Sequence, residues 1–331
     1  MTKNPLYKAI TLGLYVVCLF SSHTTANPAP SAENRSFSFA LISDQPYDVY
    51  LGDKDRRFDK LVKQINSDVD IAWVLHLGDI KTGTSSCTNR FLKERKNRFE
   101  KFQPAFVLTP GDNEWTDCHR LIAGAFDPLE RLNKLREIFF SYKNEKLEMA
   151  TNNLHRQAET HEQHQRFVEN LSWQKQRITF STIHMVGSLN GTKPFKNRNE
   201  THDAEVEARN LAAFDWLTHT FEQAKQKDSS GIFIAIHANP GFDNLDKQTY
   251  KAVYGAFINK LRSLTKKFKK PVVLAHGDSH IFRIDQPDFF GKRAPNNFIR
   301  LESFGDSNGS WIKVTADPNA VGVFSFSAIR N

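Results

Sequence analysis

Cysteine is scarce in this chain, three among 331 residues. There is no Gly/Ser-rich linker and no internal repeat, and outside residues 9–20 no apolar run could cross a bilayer. Without linkers or repeats, nothing divides the chain into modules, and residues 37–331 read as one domain near the upper size for a single hydrophobic core. The run at 9–20 is itself too short for a span. Lys3 and Lys8 precede it and Thr24-Thr25-Ala26 follows with small residues, so residues 1–26 read as a secretory signal peptide cleaved near Ala26. Val17 before Cys18 argues against a lipoprotein anchor. Residues 27–36 read as a flexible lead-in.

Removal of that leader leaves Cys87 and Cys118, an even pair in an oxidising compartment, where a disulfide is the natural reading. A reactive cysteine is the competing one, and bridged sulfurs would not act as nucleophiles. The formal charge of +8 falls to +6 once Lys3 and Lys8 are removed. A basic surface of that size can attract phosphorylated or anionic envelope partners, but the lysines are scattered and serve solubility equally well. No stable nucleic-acid complex is expected.

Against these absences stand five donor-bearing segments, each just after an apolar run of buried-strand character. Asp44 follows residues 37–43, Asp79 follows 71–78, Asp112 follows 106–111, His237 follows 232–236, and Asp278 with His280 follows 272–277. Ligands of α/β sheets bind beyond the carboxyl ends of strands, so the five segments can converge. One Asp in such a place is more often a helix cap. Five in register point to a metal site, and carboxylates with imidazoles suit divalent Mn, Fe, Zn or Mg.

In order, Asp44-Gln45-Pro46, Gly78-Asp79, Gly111-Asp112-Asn113-Glu114, His237 and Gly277-Asp278-Ser279-His280 resemble the five blocks of the calcineurin-like metallophosphoesterases. The residues 110–120 resemble the third block of a secreted bacterial branch, and there is a distant similarity to purple acid phosphatases. The resemblance implies a four-layer α/β/β/α sandwich with mixed sheets. It implies two metal ions, the first held by Asp44, Asp79 and His280, the second by Asp79 as the bridge with Asp112, His237 and Asp278. It also implies a hydroxide bridging the ions that attacks a phosphate ester.

Four positions depart from the family pattern. Pro46 stands where the family has a ligand histidine, and Gln45 or Tyr47 beside it is the replacement donor, Tyr47 being favoured because its phenolate would suit ferric iron at one site. Asp112 and Asp278 replace Asn and His, which makes four carboxylates against two divalent ions, a nearly neutral cluster. Lys81 and Arg120 are then the expected sources of attraction for the substrate phosphate. Asn113 replaces the family's histidine and can donate a hydrogen bond without delivering a proton. Either the leaving group needs little help, or His119 or Asp117, in the same loop, is the candidate proton donor.

The remaining sequence predicts a helix over 127–148, a solvated polar stretch over 151–170 whose His155, His161 and His164 read as surface residues, a hairpin over 173–187 in which His184 is packed, and a loop over 188–191 able to reach the site. Helices follow over 204–225, with Val206, Leu211, Phe214, Leu217 and Phe221 near one face, and over 254–268. The strands at 298–304, 311–316 and 321–329 are expected to add antiparallel partners. Two functions remain open from sequence. One is a secreted phosphoesterase acting on a phosphorylated small molecule or a phosphodiester. The other is a weak or inactive relative that binds a phosphorylated or cell-envelope partner.

Overall fold

Strands form where the sequence carries unbroken apolar runs. In the computed structural model of the chain, Phe37–Ile42 (β1), Ile71–His76 (β2) and Ala105–Leu108 (β3) are almost wholly buried, as strands covered on both faces must be. The structure describes Met1 and residues 35–47, 56–141, 144–242, 247–306 and 309–330. The leader reading for 1–26 and most of the lead-in therefore lie outside the described residues. The architecture that follows belongs to the unit Ser31–Asn331.

The first sheet has five strands. β1 runs parallel to β2, and β2 to β3, while Trp311–Ala316 (β11) and Phe324–Ile329 (β12) extend the β1 edge antiparallel. The second has seven, in the order β4 (Asn152–Arg156), β5 (Leu171–Lys175), β6 (Ile178–Thr182), β7 (Gly231–Ala235), β8 (Val272–His276), β10 (Phe298–Glu302) and β9 (Arg283–Asp285). Its pairings from β6 through β10 are parallel and both margins are antiparallel.

Period-two alternation then sorts the side chains into layers. Phe39, Leu41, Trp73 and Leu75 face Phe180, Phe233, Val273 and Leu301 of the other sheet. Phe39 meets Phe233 edge-on at 5.0 Å and Trp73 meets Phe180 likewise at 5.0 Å. The alternate residues Ala40, Ile42 and Val74 pack on Phe58, Leu61 and Ile65 of α1 (Arg56–Ser67), Leu92 of α2 (Asn89–Phe99) and Leu132 of α3 (Pro128–Phe139). On the far side, Ile232, Ile234, Val272 and Leu274 pack on Trp216 and Leu217 of α7 (Glu200–Gln226) and on Ile258 and Leu261 of α8 (Lys247–Phe268). The result is the α/β/β/α sandwich expected from the sequence. Among the described residues no helix is long and apolar enough to cross a membrane.

Several local expectations are corrected. The single helix over 127–148 is two: α3, capped by the Asp127 carboxylate, stops at Phe139, and α4 (Glu145–Ala150) restarts where the Asn144 side chain accepts the Leu147 N–H. The stretch 151–170 is not a solvated loop, because β4, a single turn α5 (Gln157–Thr160) and a 3-10 turn at Glu162–His164 fill it, with Gln157 and His164 buried. On α7, Leu211 is exposed, and the buried face carries Arg209 and Trp216 instead. β10 joins β8 in parallel rather than antiparallel. The α6 segment (Gly187–Gly191) is not a right-handed helix: Ser188, Leu189 and Asn190 all have φ near +50°.

Candidate metal centre

The parallel strands of the two sheets deliver their carboxyl ends to one edge of the sandwich. Asp44 lies two residues past β1, Asp79 three past β2, Asp112 four past β3, His237 two past β7, and Asp278 and His280 just past β8. Backbone hydrogen bonds lock these turns together. The Asp44 N–H donates to the Gly78 carbonyl at 2.9 Å, and the Gly277 N–H to the His237 carbonyl at 3.0 Å. Gly111 permits a close backbone approach, since a Cβ there would fall 2.2 Å from the Asp79 backbone nitrogen. Four of the donor residues hold left-handed backbone without being glycine: Asp44 (φ 55°), Asp79 (57°), Asp278 (74°) and His280 (61°). Such backbone costs free energy and accumulates at functional sites.

The donor atoms form two overlapping groups, Asp44 with Asp79 and His237, and Asp112 with His237 and Asp278, each with its ligand atoms within 4.8 Å of one another. His237 Nδ1 is bound to the Leu77 carbonyl at 2.7 Å. This fixes the ring so that Nε2 faces Asp112 at 3.1 Å and Asp79 at 3.3 Å. His280 Nε2 lies 3.1 Å from Asp44. Among the described residues no lysine or arginine pairs with these carboxylates; the imidazoles alone do.

The electrostatics follow from that lack. Burial pushes Asp79 well above the usual carboxylate range; His237 opposes the shift, and the charges of Asp112, Glu114 and Asp44 add to it. Burial, then the Asp112 charge, lifts Asp278 to about 6. Burial also works against ionising Asp112, yet hydrogen bonds from His237 and the Ser188 hydroxyl hold it at about 2. His237 is itself raised well above its ordinary value by Asp79 and Asp112, although burial opposes the charge. A buried set of hard oxygen donors with too little positive charge, and an imidazole nitrogen already aimed among them, fits divalent metal ions.

Tyr47 enters this centre directly. Its hydroxyl is 3.2 Å from Asp44, 3.0 Å from Asp79 and 3.3 Å from His280 Nε2. Burial and the adjoining Asp79 and Asp44 charges raise its phenol well above 10. Asn113 also belongs to the cluster: its backbone N–H donates to Asp79 at 3.0 Å, and its side-chain amide contacts the other Asp79 oxygen and, at 3.4 Å, the Tyr47 hydroxyl.

Other sequence candidates lie elsewhere. Lys81 is fully buried and donates to the Thr82 and Asn113 carbonyls at 2.9 and 2.7 Å. It ties the loop after β2 to the loop after β3 and has no free face for a phosphate; burial lowers it to about 8. His119 stacks on Phe195 at 4.7 Å and binds the Thr116 carbonyl at 2.7 Å, so it is not brought to the carboxylates. Arg120 is partly exposed, paired with Asp117 at 2.6 Å, and crowds the same Gly83 α-carbon as the Asn113 side chain. Cys87 and Cys118 are joined in a disulfide across 31 residues, which bridges these two loops. His184 is packed, with Nδ1 on Glu169 at 2.6 Å.

Sequence reasoning missed the supporting residues. Glu114 accepts the backbone N–H of Asp79 at 3.2 Å and of Gly111 at 2.6 Å. Buried His76 spans the Gln45 carbonyl, at 2.7 Å, and the Gly78 N–H, at 3.1 Å. Ser188, on the left-handed turn α6, donates to Asp112 at 2.5 Å. Three successive non-glycine residues at positive φ leave no mark in composition. Gly187 before them was the one available sign, because a Cβ there would sit 2.7 Å from Asp112 and 2.9 Å from Asp278.

A calcineurin-like phosphoesterase family profile matches residues 38–282, from β1 to just beyond His280. The chain belongs to the calcineurin-like phosphoesterase family. Among solved structures, the purple acid phosphatase PPD1 from yellow lupin (Lupinus luteus) seeds shares the fold with a TM-score of 0.50 at 11% identity, over 91% of this chain and 55% of that one. The chain thus spans about half the length of the lupin protein. The structure of PhoD aligns with a TM-score of 0.49 at 13% identity, over 92% of this chain and 70% of that one. Among curated proteins none matches. The family assignment covers all six candidate ligands, and at 11% identity the lupin structure speaks for the fold alone.

Proposed function

We propose that this chain is a secreted, metal-dependent phosphoesterase that hydrolyses a phosphorylated small molecule or a phosphodiester, with Asp44, Asp79, Asp112, His237, Asp278 and His280 as ligands of two metal ions. The observation that carries this reading is the pair of overlapping donor groups, buried and without a lysine or arginine partner among the described residues. When bound, divalent ions of the Mn, Fe, Zn or Mg class supply Lewis-acid polarisation of the phosphoryl group and activation of water for in-line attack. Asp79, in reach of Tyr47, Asn113 and His237, would be the carboxylate shared between the ions. Tyr47 adds a phenol oxygen beside Asp44 and Asp79, and as a phenolate it favours a ferric ion there.

The chain's own groups do the rest. Asn113, whose side-chain amide meets Asp79 and the Tyr47 hydroxyl, can redirect an N–H to oxygen in the transition state, and it delivers no proton. Arg120, partly open to solvent, attracts the phosphate. Ser188 and the Leu77 carbonyl keep Asp112 and His237 oriented. The sequence of residues 1–26 and the Cys87–Cys118 bridge support export, with a mature chain from about Asn27 and one catalytic domain over 37–331.

A second reading has its own support. The Tyr47 hydroxyl sits among Asp44, Asp79, His280 and Asn113, and Asn113, which delivers no proton, stands where the family has a histidine, as in a weak or inactive relative that binds a phosphorylated or envelope partner. Hydrolysis of p-nitrophenyl phosphate and bis(p-nitrophenyl) phosphate, after reconstitution with Mn, Fe, Zn or Mg, separates the two. The first reading expects turnover that falls at least about 100-fold in Asp79→Asn, as loss of a metal-borne transition-state interaction does. No turnover with any ion favours the second.

A further inference from the structure

Three of the chain's 12 histidines, at 155, 161 and 164, come from the polar stretch after α4, and the fold brings them together with a fourth. His155 lies on β4, His161 and His164 border and end the 3-10 turn, and His219 lies on α7. The His161 and His219 ring centroids are 5.1 Å apart with the rings at 81°. His155 and His219 are 6.1 Å apart at 79°, and His161 and His164 are 6.2 Å apart. Two imidazoles on one tetrahedral ion, each bound through a nitrogen about 2 Å away, place their centroids roughly 5 Å apart. His161 and His219 already have that spacing; His155 is about an ångström wider from His219, and His164 from His161, and since no three of the four bring their donor atoms within 4.8 Å of one another, binding would close them by side-chain torsion changes.

The nitrogens are also sorted as ligands require. His161 Nδ1 is engaged by the Thr160 hydroxyl at 2.9 Å, which leaves Nε2. His164 Nε2 is engaged by the Asp215 carboxylate at 2.8 Å, which leaves Nδ1 backed by a negative charge. His219 Nε2 is buried with no hydrogen-bond partner, a state that asks for an explanation. Trp216 braces the set, stacked on His219 at 4.6 Å and edge-on to His161 at 5.5 Å.

We propose that His161 and His219, closed by His155 and His164, form an accessory site for one borderline divalent cation of the zinc or copper class. All-imidazole donors select such ions over the Mg or Mn that an oxygen-rich centre accepts. The site is remote from that centre: His202, near the other end of α7, shares a recess with Ser188, the hydrogen-bond partner of Asp112, and the 17 residues from it to His219 span roughly 25 Å of helix. A bound ion would fasten the edge strand β4 and the turn after it to α7.

The test is zinc stoichiometry and affinity of the chelator-stripped full chain, by calorimetry and elemental mass spectrometry, in wild type, His161→Gln, His219→Gln and Asp79→Asn. The proposal expects one equivalent that survives in Asp79→Asn and weakens at least tenfold in each histidine variant. Copper quenching of Trp216 fluorescence should be lost in the same two variants and in Trp216→Phe. Circular dichroism identifies any variant that fails to fold, and the half-exposed His161 and His219 positions provide two independent chances. Equal stoichiometry and affinity in wild type and a folded histidine variant overturn the proposal, as does a dissociation constant weaker than millimolar.

Discussion

Asp44, Asp79, Asp278 and His280 sit on left-handed backbone that L-residues avoid, and three of them are acids crowded with a fourth, Asp112. Such strain and like-charge crowding lower stability until a cation is present, so side-chain changes here should trade function for stability. Asp278 shows the sign. Its folded-state value of about 6 lies above the ordinary 3.8, so the metal-free protein keeps full stability below about pH 3.8 with respect to this group and loses it as pH rises through 6. In Asp278→Asn the chelated protein should therefore be more stable than wild type at pH 8, by on the order of 2 kcal/mol, and should bind metal more weakly; urea unfolding with and without chelator checks both. His76 behaves in the opposite sense. Burial takes it down to about 4 from 6.5, so its contribution is complete above pH 6.5 and is lost as pH falls toward 4, by up to about 3 kcal/mol. Urea melts across that window should show a steeper decline in wild type than in His76→Gln. The carboxylates and His237 were legible because each follows an apolar run that could only be a buried strand. Lys81 was misread because burial depends on the distant Asn113 carbonyl; His76 and the bracing role of Glu114 went unseen because their partners come from other loops, and the loop 188–191 was legible only as one able to reach the site.

At the level of elements, the strands and long helices followed from periodicity, and the errors fall where tertiary pairing overrides it. The parallel seat of β10 beside β8 depends on which edge was still open, and the division of 127–148 depends on the Asn144 cap. The disulfide was legible from cysteine number alone, and its meaning comes from the fold: it fastens the loop after β2, carrying Asp79, to the loop after β3, carrying Asp112 and Asn113. Closing a loop of this length contributes roughly 4 kcal/mol in the chain-entropy model. The Cys87→Ala/Cys118→Ala variant should lose several degrees of melting temperature and bind metal more weakly. A variant with an unchanged melting temperature and metal affinity would show that the bridge holds nothing the fold does not already hold.

Across the whole molecule, two sheets packed through a shared aromatic core point the carboxyl ends of β1, β2, β3, β7 and β8 at one edge, and family membership over residues 38–282 rests on the same arrangement. The central claim is that this edge is a two-ion centre. Its most direct test is the metal content of the purified protein by elemental mass spectrometry, with the visible spectrum taken on the same sample and on Asp79→Ala. Two equivalents lost together in Asp79→Ala are expected, with a broad charge-transfer band if Tyr47 ligates ferric iron. No metal at this centre after reconstitution with Mn, Fe and Zn, or equal content in Asp79→Ala, would contradict the account.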